Sequence, residues 1–214
     1  AMSLDGRTAM ATGESKWITS EQARADVHRL RARSSAILTG IGTVVADDPS
    51  LTVRVSALGD SPRQPLRVVL DRELRISPAA RLFSQPGGVV IFTAETAQLR
   101  IEAITARGAE VISVPANGHG LDLMAVMRLL AQREINEVML EAGATLSGAM
   151  LQAGLIDELV FYLAPHLMGD AARGLFHLPG LERMEQRIGL DIQEIRAVGQ
   201  EWRIRATLAQ PETA

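Results

Sequence analysis

The segment Thr43-Val-Val-Ala-Asp-Asp-Pro-Ser-Leu-Thr-Val-Arg54 brings together two adjacent carboxylates, a proline and an arginine. It follows an apolar run at residues 36–40 that predicts a buried strand, and in an open α/β sheet ligands bind at the carboxyl ends of strands. A carboxylate pair can orient hydroxyls or transfer protons, and the planar fork of arginine can grip a phosphate. The alternative is that Asp47-Asp48-Pro49 only ends a helical turn, because Asp and Pro both favour turns.

A second segment that could take part in chemistry, Glu141-Ala-Gly-Ala-Thr-Leu-Ser-Gly148, follows the predicted strand Glu137-Val-Met-Leu140. Gly143 would let the backbone approach a ligand, and a helix beginning near Thr145 would offer free amide groups to a phosphate or pyrophosphate. The full Rossmann spacing and the P-loop lysine are absent, so a tight connection is the alternative. For Gly148, that alternative is close packing of a helix on a sheet.

Glu141 is predicted to lie at the lip of a pocket, because it directly follows a strand. A carboxylate there is costly unless it is solvated or paired, which favours a ligand role. Near the amino terminus, Trp17 could stack on a nicotinamide or a pyrimidine, or it could fill the core. Ser15 could hydrogen-bond a polar heterocycle, or it could be a turn residue.

The composition excludes several kinds of site. The chain has no cysteine, so disulfides, cysteine-ligated zinc and thiol nucleophiles are ruled out. The histidines have no metal-ligand spacing, so we predict no metal site; they are His28, His119, His166 and His177. A net charge of −3 and an aromatic content of 3% argue against nucleic-acid binding.

The chain of 214 residues has no obvious linker, so we predict a single domain over residues 1–214. Because Ala1-Met2-Ser3-Leu4 already resembles the end of a strand, the domain could be the carboxyl-terminal part of a longer chain. Neither a charged-then-apolar leader nor a long apolar run is present. We therefore expect a cytoplasmic protein.

The alternation of strands and helices predicts an α/β fold with a mainly parallel sheet covered on both faces. Strands are predicted at 36–39, 66–70, 89–93, 110–114, 137–140 and 159–164, and an antiparallel hairpin at 192–198 and 202–208. Helices are predicted from Thr19 or Ser20, over 96–107, over 121–133, and from about 145 to 154. In the first helix, Ala23, Val27 and Leu30 form the buried face, so Arg31 and its neighbouring arginines are expected to face water.

Read together, four motifs resemble a known family. They are Ser3-Leu-Asp-Gly-Arg7, Gly13-Glu-Ser-Lys-Trp-Ile-Thr19, the segment 43–54 and the segment 141–148, and Phe161-Tyr-Leu-Ala-Pro-His-Leu-Met-Gly169 also matches. The chain resembles the reductase domain of the bifunctional riboflavin-biosynthesis deaminase/reductase. The resemblance implies a three-layer α/β/α fold similar to dihydrofolate reductase.

The resemblance also implies NADPH-dependent reduction of 5-amino-6-(5-phosphoribosylamino)uracil to its ribitylamino counterpart, with hydride reaching C1′ of the ribose. The substrate residues would be Ser15, Arg31, Leu51, Arg54 and Glu141, with the two arginines suited to the 5-phosphate. Glu141 and Asp47 are the catalytic candidates. The cofactor residues would be Ala1, Trp17, Thr43, Asp47, Gly143, Ala144, Thr145, Leu146, Ser147, Gly148 and Ala149. Arg72 is an additional candidate for the 2′-phosphate of the cofactor.

Members of this family pair as homodimers and are joined to, or work beside, a zinc deaminase. This sequence has no match to the deaminase signature. Family members tend to carry a lysine just upstream of the first strand, at a position outside residues 1–214. Two alternatives remain: a dihydrofolate reductase-like enzyme acting on another substrate, and a non-catalytic nucleotide-binding dimerisation domain. The arginines at positions 31 and 54 argue against a pteridine substrate.

Overall fold

The structure is a computed structural model that describes residues 1–54, 62–118 and 120–209. His119, one of the four histidines considered above, lies outside the described residues. The chain divides into two compact units, one formed by Ala1–Asp26 with the chain from Ser147 onward, the other by Val27–Leu146. Within the described ranges, no helix is long and apolar enough to span a bilayer.

Thirteen strands and five α-helices are present in the described residues. The strands are β1 Met2–Ser3, β2 Arg7–Ala9, β3 Ala36–Gly40, β4 Leu66–Leu70, β5 Val89–Thr93, β6 Glu110–Ser113, β7 Ala116–Asn117, β8 Gly120–Leu121, β9 Val138–Leu140, β10 Glu158–Ala164, β11 Arg173–Gly174, β12 Leu190–Val198 and β13 Glu201–Leu208. The helices are α1 Glu21–Arg33, α2 Ile41–Asp47, α3 Gln98–Thr105, α4 Leu123–Gln132 and α5 Ala144–Gln152.

The Val27–Leu146 unit contains a five-stranded parallel sheet in the order β6-β5-β4-β3-β9. Successive strand residues point to opposite faces, so Val68 and Val69 enter two different apolar clusters. Residues of α4 belong to the first cluster, and residues of α2 and α3 belong to the second. The centre of the sheet is therefore buried on both faces, which explains why β3, β4 and β5 are largely apolar, whereas the edge strands β6 and β9 are only partly buried.

The other unit contains a four-stranded sheet in the order β1-β10-β13-β12, in which β1 and β10 are parallel and the remaining pairs antiparallel. A buried carboxylate on α1, Asp26, accepts hydrogen bonds from the Tyr162 hydroxyl at 2.8 Å and from Arg203 at 3.0 Å. Burial alone would raise the pKa of Asp26, but these donors more than offset it and lower the pKa below the usual range.

The predicted fold class is confirmed: the five parallel strands and the carboxyl-terminal antiparallel hairpin are present, and α3, α4 and α5 lie where helices were expected. Helix α2 was not predicted. One prediction was wrong: Arg31 does not face water, because its side chain is only 13% exposed. The prediction of a single domain over residues 1–214 stays a prediction.

Candidate functional site

Arg31 and Glu141 form a two-point ion pair in the Val27–Leu146 unit. Arg31 Nε donates to Glu141 Oε1 and Nη2 donates to Oε2, both at 2.6 Å. The two side chains are only 13% and 21% exposed. Burial lowers the pKa of a guanidinium, but the hydrogen bonds and charge of Glu141 more than offset this, so the pKa of Arg31 is raised. The pair is thus a fixed charged feature.

Glu141 is held at the carboxyl edge of the parallel sheet by its own backbone. Its N–H donates to the carbonyl oxygen of Leu38 at 2.9 Å, and its carbonyl oxygen accepts from the Thr39 hydroxyl at 2.7 Å. Both partners lie in β3, the strand that pairs with β9. The carboxylate therefore projects from the edge at which ligands bind in open α/β sheets.

Three side chains hold the backbone of the loop at residues 52–54. Arg31 Nη1 donates to the carbonyl oxygen of Thr52 at 2.9 Å. Gln64 accepts from the Val53 N–H at 2.8 Å and donates to the Val53 carbonyl oxygen at 3.1 Å. His28 Nδ1 accepts from the Arg54 N–H at 3.3 Å. The loop is therefore tied to the Arg31–Glu141 pair, and the exposed side chain of Arg54 begins from a fixed backbone.

Leu51 begins this loop in an unusual conformation. It has a φ of +50° and is buried. A left-handed backbone is costly for a residue with a side chain, and such strain is found preferentially at functional sites. The expected role of Leu51 as a substrate contact stays a prediction.

Sequence reasoning missed His28, which lies three residues before Arg31 in α1 and therefore on the same helical face. Burial lowers the pKa of His28, and the positive charges of Arg31 and Arg54 lower it further, against the opposing effects of the Glu141 charge and of an interaction with the Thr52 backbone. The spacing to Arg31 was the available signal. It was overlooked because the histidines were tested only as metal ligands.

The two adjacent carboxylates at the end of α2 have different surroundings. Asp48 has a left-handed backbone, its Oδ1 accepts from the Arg81 N–H at 2.8 Å, and its Oδ2 lies 3.6 Å from Arg81 Nε. The side chain of Asp47 is exposed and makes no hydrogen bond or ion pair with a described residue. Asp48 thus ends the helix, which agrees with the alternative that this segment ends a helical turn. Asp47 is available to a ligand.

Two helices begin at the ends of neighbouring strands, α2 after β3 and α5 after β9. A side chain added at Gly42, in the first turn of α2, would meet nothing within 4 Å, and the same holds for Gly143, just before α5. Neither helix start is covered at its glycine. Free amide groups of this kind, with open space beside them, suit a phosphate or pyrophosphate.

The other cofactor candidates differ in their surroundings. A Cβ added at Gly148 would lie 2.0 Å from the carbonyl oxygen of His177, so this glycine is required by close packing, against a loop rather than a sheet. Trp17 is 71% exposed, which excludes a core role, and the Arg24 guanidinium carbon lies 4.3 Å from its ring centroid. Arg72 is exposed after β4, and its guanidinium makes no hydrogen bond or ion pair with a described residue.

For the remaining residues expected to bind substrate or cofactor, the described contacts do not test the expected roles. Ser15 lies in the loop before α1, Thr43 lies within α2, and Ala1 is exposed at the start of β1. The residues from Ala144 to Ala149 belong to α5. Their assignment to substrate or cofactor stays a prediction.

This arrangement defines a class of protein, the dihydrofolate reductase-like α/β fold. A family model described as the RibD C-terminal domain matches residues 1–204. The chain therefore belongs to the RibD C-terminal domain family.

Individual relatives agree with this membership. The riboflavin biosynthesis protein RibD of Escherichia coli is 47% identical over 92% of this chain and 55% of its own length. A 5-amino-6-(5-phosphoribosylamino)uracil reductase of Buchnera aphidicola is 31% identical over 91% of this chain and 97% of its own length. A solved structure of Acinetobacter baumannii RibD has a TM-score of 0.86 at 38% identity, covering 98% of this chain and 57% of that one. This chain thus spans about half the length of the RibD relatives.

Proposed function

We propose that this protein is an NADPH-dependent oxidoreductase that reduces 5-amino-6-(5-phosphoribosylamino)uracil to 5-amino-6-(5-phosphoribitylamino)uracil. The observation that supports this most is the Arg31–Glu141 pair at the sheet edge, tied through Thr52 to the loop that carries Arg54. The Buchnera aphidicola reductase, which this chain matches over almost its whole length, bears the name of that activity.

The substrate is recognised by charge and by hydrogen bonding. Each Glu141 oxygen accepts one hydrogen bond from Arg31, and a carboxylate oxygen can accept more than one. Glu141 therefore accepts from the amino groups of the pyrimidine or from ribose hydroxyls. Arg54 binds the 5-phosphate, because a guanidinium matches phosphate geometry, and the remaining N–H groups of Arg31 add to this donor surface. Ser15 and Leu51 complete the proposed substrate residues.

The chain also fits a dinucleotide cofactor. The uncovered start of α5 at Gly143 suits the pyrophosphate, which would accept from the free amide groups of the first turn, and the residues from Gly143 to Ala149 are the proposed contacts of the cofactor. Ala1, Trp17, Thr43 and Asp47 are the other proposed contacts, and Arg72 is proposed for the 2′-phosphate. When bound, NADPH supplies the hydride that is added to ribose C1′. Reduction also requires a proton, and Asp47 and Glu141 are the side chains proposed to handle it.

Turnover tests this proposal directly. Purified protein is mixed with NADPH and the phosphoribosylamino substrate, and NADPH oxidation is followed together with the mass of the product. We expect oxidation coupled to a product heavier by two hydrogens. Robust turnover of dihydrofolate instead would overturn the substrate. Binding of NADPH without oxidation would favour a non-catalytic nucleotide-binding domain.

We also propose that the protein forms homodimers and acts together with a zinc deaminase, fused or separate. Several apolar side chains in the carboxyl-terminal hairpin and in the segment before it are exposed, among them Leu181, Met184, Ile188, Leu190, Ile192, Ile195 and Trp202. Exposed apolar patches of this kind favour protein interfaces. Light scattering should give the mass of a dimer, and Ile195→Glu should reduce it to that of a monomer.

A further inference from the structure

His28 is placed to control the loop that carries Arg54. It lies on α1 one turn before Arg31, and its Nδ1 accepts from the Arg54 N–H at 3.3 Å. Arg31 holds the carbonyl oxygen of Thr52, and Gln64 holds both backbone groups of Val53. Three consecutive residues of the loop are thus held by side chains, and His28 also interacts with the backbone of Thr52. Among the residues that the structure describes, His28 is the one whose side chain contacts the Arg54 backbone.

A hydrogen bond from an N–H group to Nδ1 needs a lone pair on that nitrogen, so it exists only while Nδ1 is unprotonated. The charged groups that face His28 are Arg31, Arg54 and Glu141. Two of these are positive, and both carboxylate oxygens of Glu141 already accept from Arg31. Burial and the two arginines lower the pKa of His28, which favours the neutral ring that this contact requires.

We propose that His28 is a positioning residue for the substrate phosphate: its unprotonated Nδ1 fixes the Arg54 backbone so that the Arg54 guanidinium is presented to the phosphate. This inference rests on the proposed function, which assigns the 5-phosphate to Arg54. His28 does not contact the reacting atoms in this scheme. It acts through Arg54, so its effect is confined to recognition of the phosphorylated end of the substrate.

Two substitutions of similar size distinguish the effect of losing the hydrogen-bond acceptor from the effect of losing the volume of the ring. His28→Asn places Oδ1 at the position of Nδ1 and keeps an acceptor, whereas His28→Leu fills similar space with none. We expect His28→Leu to raise KM for the phosphorylated substrate about tenfold, because the Arg54 N–H loses its partner. In that variant, kcat and KM for NADPH should stay within about twofold of wild type. His28→Asn should restore KM to near the wild-type value.

The phosphate-free form of the substrate provides the matched control, because it lacks the group that Arg54 binds. Its KM should be the same in wild type and in His28→Leu. An equal rise in KM for both substrate forms would overturn the proposal, as would a defect in His28→Asn as large as that in His28→Leu. If His28→Leu does not fold, His28→Gln replaces it. Its acceptor lies one bond further out, and an unchanged KM in that variant would also overturn the proposal.

The result that would contradict the proposed function differs from the results that would contradict the role of His28. If wild-type protein does not oxidise NADPH with the phosphoribosylamino substrate, the reaction assignment is wrong. Binding of ribose 5-phosphate, measured by calorimetry, then tests His28 separately. Weaker binding to His28→Leu than to wild type and to His28→Asn supports the role of His28, and equal binding to all three proteins overturns it.

Discussion

Arg31 and Glu141 lie 110 residues apart in the chain, and their side chains form an ion pair in which both donor–acceptor distances are 2.6 Å. Arg31 comes from a helix and Glu141 from the residue after an edge strand of the parallel sheet. The same guanidinium also holds the carbonyl oxygen of Thr52. One arginine therefore joins three separate segments of the chain at the proposed substrate site.

Replacing Glu141 by Gln should damage both stability and activity, because it leaves Arg31 without its counter-charge. Breaking a fully buried pair costs about 3–5 kcal/mol, and partial exposure of this pair reduces our estimate to roughly 1–3 kcal/mol. We expect kcat/KM to fall at least about a hundredfold through loss of positioning. Urea unfolding and steady-state kinetics measure the two effects. Glu137→Gln, the same change at an exposed site, should behave as wild type; equal defects in both variants would contradict the role of the pair.

Gly148→Ala should be severely destabilising, because its Cβ would lie 2.0 Å from the carbonyl oxygen of His177. Overpacking against backbone leaves little room for relaxation, so we expect a loss of at least about 3 kcal/mol. Gly143→Ala is the matched control: its Cβ meets nothing within 4 Å and its φ is not positive. That variant should stay within about 1 kcal/mol of wild type in unfolding experiments, but bind NADPH more weakly. A stable Gly148→Ala protein would show that the helix–loop contact is not close.

Tyr162, the only tyrosine of the chain, should ionise abnormally late in the native protein. Burial raises the pKa of its hydroxyl, and the carboxylate of Asp26 raises it further. The unfolded chain loses this proton near pH 10 while the folded chain retains it, so stability should fall as pH rises above about 10. Tyrosinate absorbance in native and urea-unfolded protein measures the difference, and identical titrations would contradict it. Tyr162→Phe should cost about 1–3 kcal/mol of unfolding free energy.

Arg72→Glu should reduce the preference for NADPH over NADH at least about tenfold, because a like charge would then face the 2′-phosphate. The comparison of kcat/KM for the two cofactors measures this preference. Arg75→Glu supplies the control, since Arg75 is an exposed arginine of the same connection that lies 4.0 Å from Glu73. It should leave the preference unchanged. An unaltered preference in Arg72→Glu would remove Arg72 from the cofactor site.

Substitution of the adjacent carboxylates, Asp47 and Asp48, should have different effects on catalysis. Asp47→Asn removes a charge that has no partner among the described residues, so we expect little change in melting temperature and a fall in kcat of at least about tenfold. Asp48→Asn weakens an exposed pair with Arg81, which is worth at most about 1 kcal/mol. Its kcat should remain near that of wild type. The reverse pattern would place the chemistry at Asp48.

The central strands of the parallel sheet, β3, β4 and β5, could be predicted because they are largely apolar and buried on both faces. Helix α2 could not, because Ile41-Gly-Thr-Val-Val45 is rich in β-branched residues and contains a glycine, all of which favour other conformations. Burial of Ile41 and Val44 against the sheet overrides that preference.

The site was only partly accessible from the sequence. The resemblance pointed to Arg31, Arg54 and Glu141 individually, but nothing in the sequence indicated that Arg31 and Glu141 bind each other. The apolar pattern of α1 predicted that Arg31 faces water. A guanidinium does not contribute to such a pattern, even when it is buried in an ion pair with a carboxylate that is distant in the sequence. His28 was missed because the histidines were tested only as metal ligands; its spacing to Arg31 was visible in the sequence, but its partner, a backbone N–H, has no sequence signature.

The position of Glu141 just beyond the edge strand β9 has a consequence for biogenesis. In a nascent polypeptide that does not yet contain Glu141, the earlier strands can pair, but Arg31 lacks the carboxylate of Glu141 as its partner. The proposed substrate site is therefore incomplete until Glu141 has been synthesised, so a polypeptide released from the ribosome before that residue should be unable to compete for the metabolite.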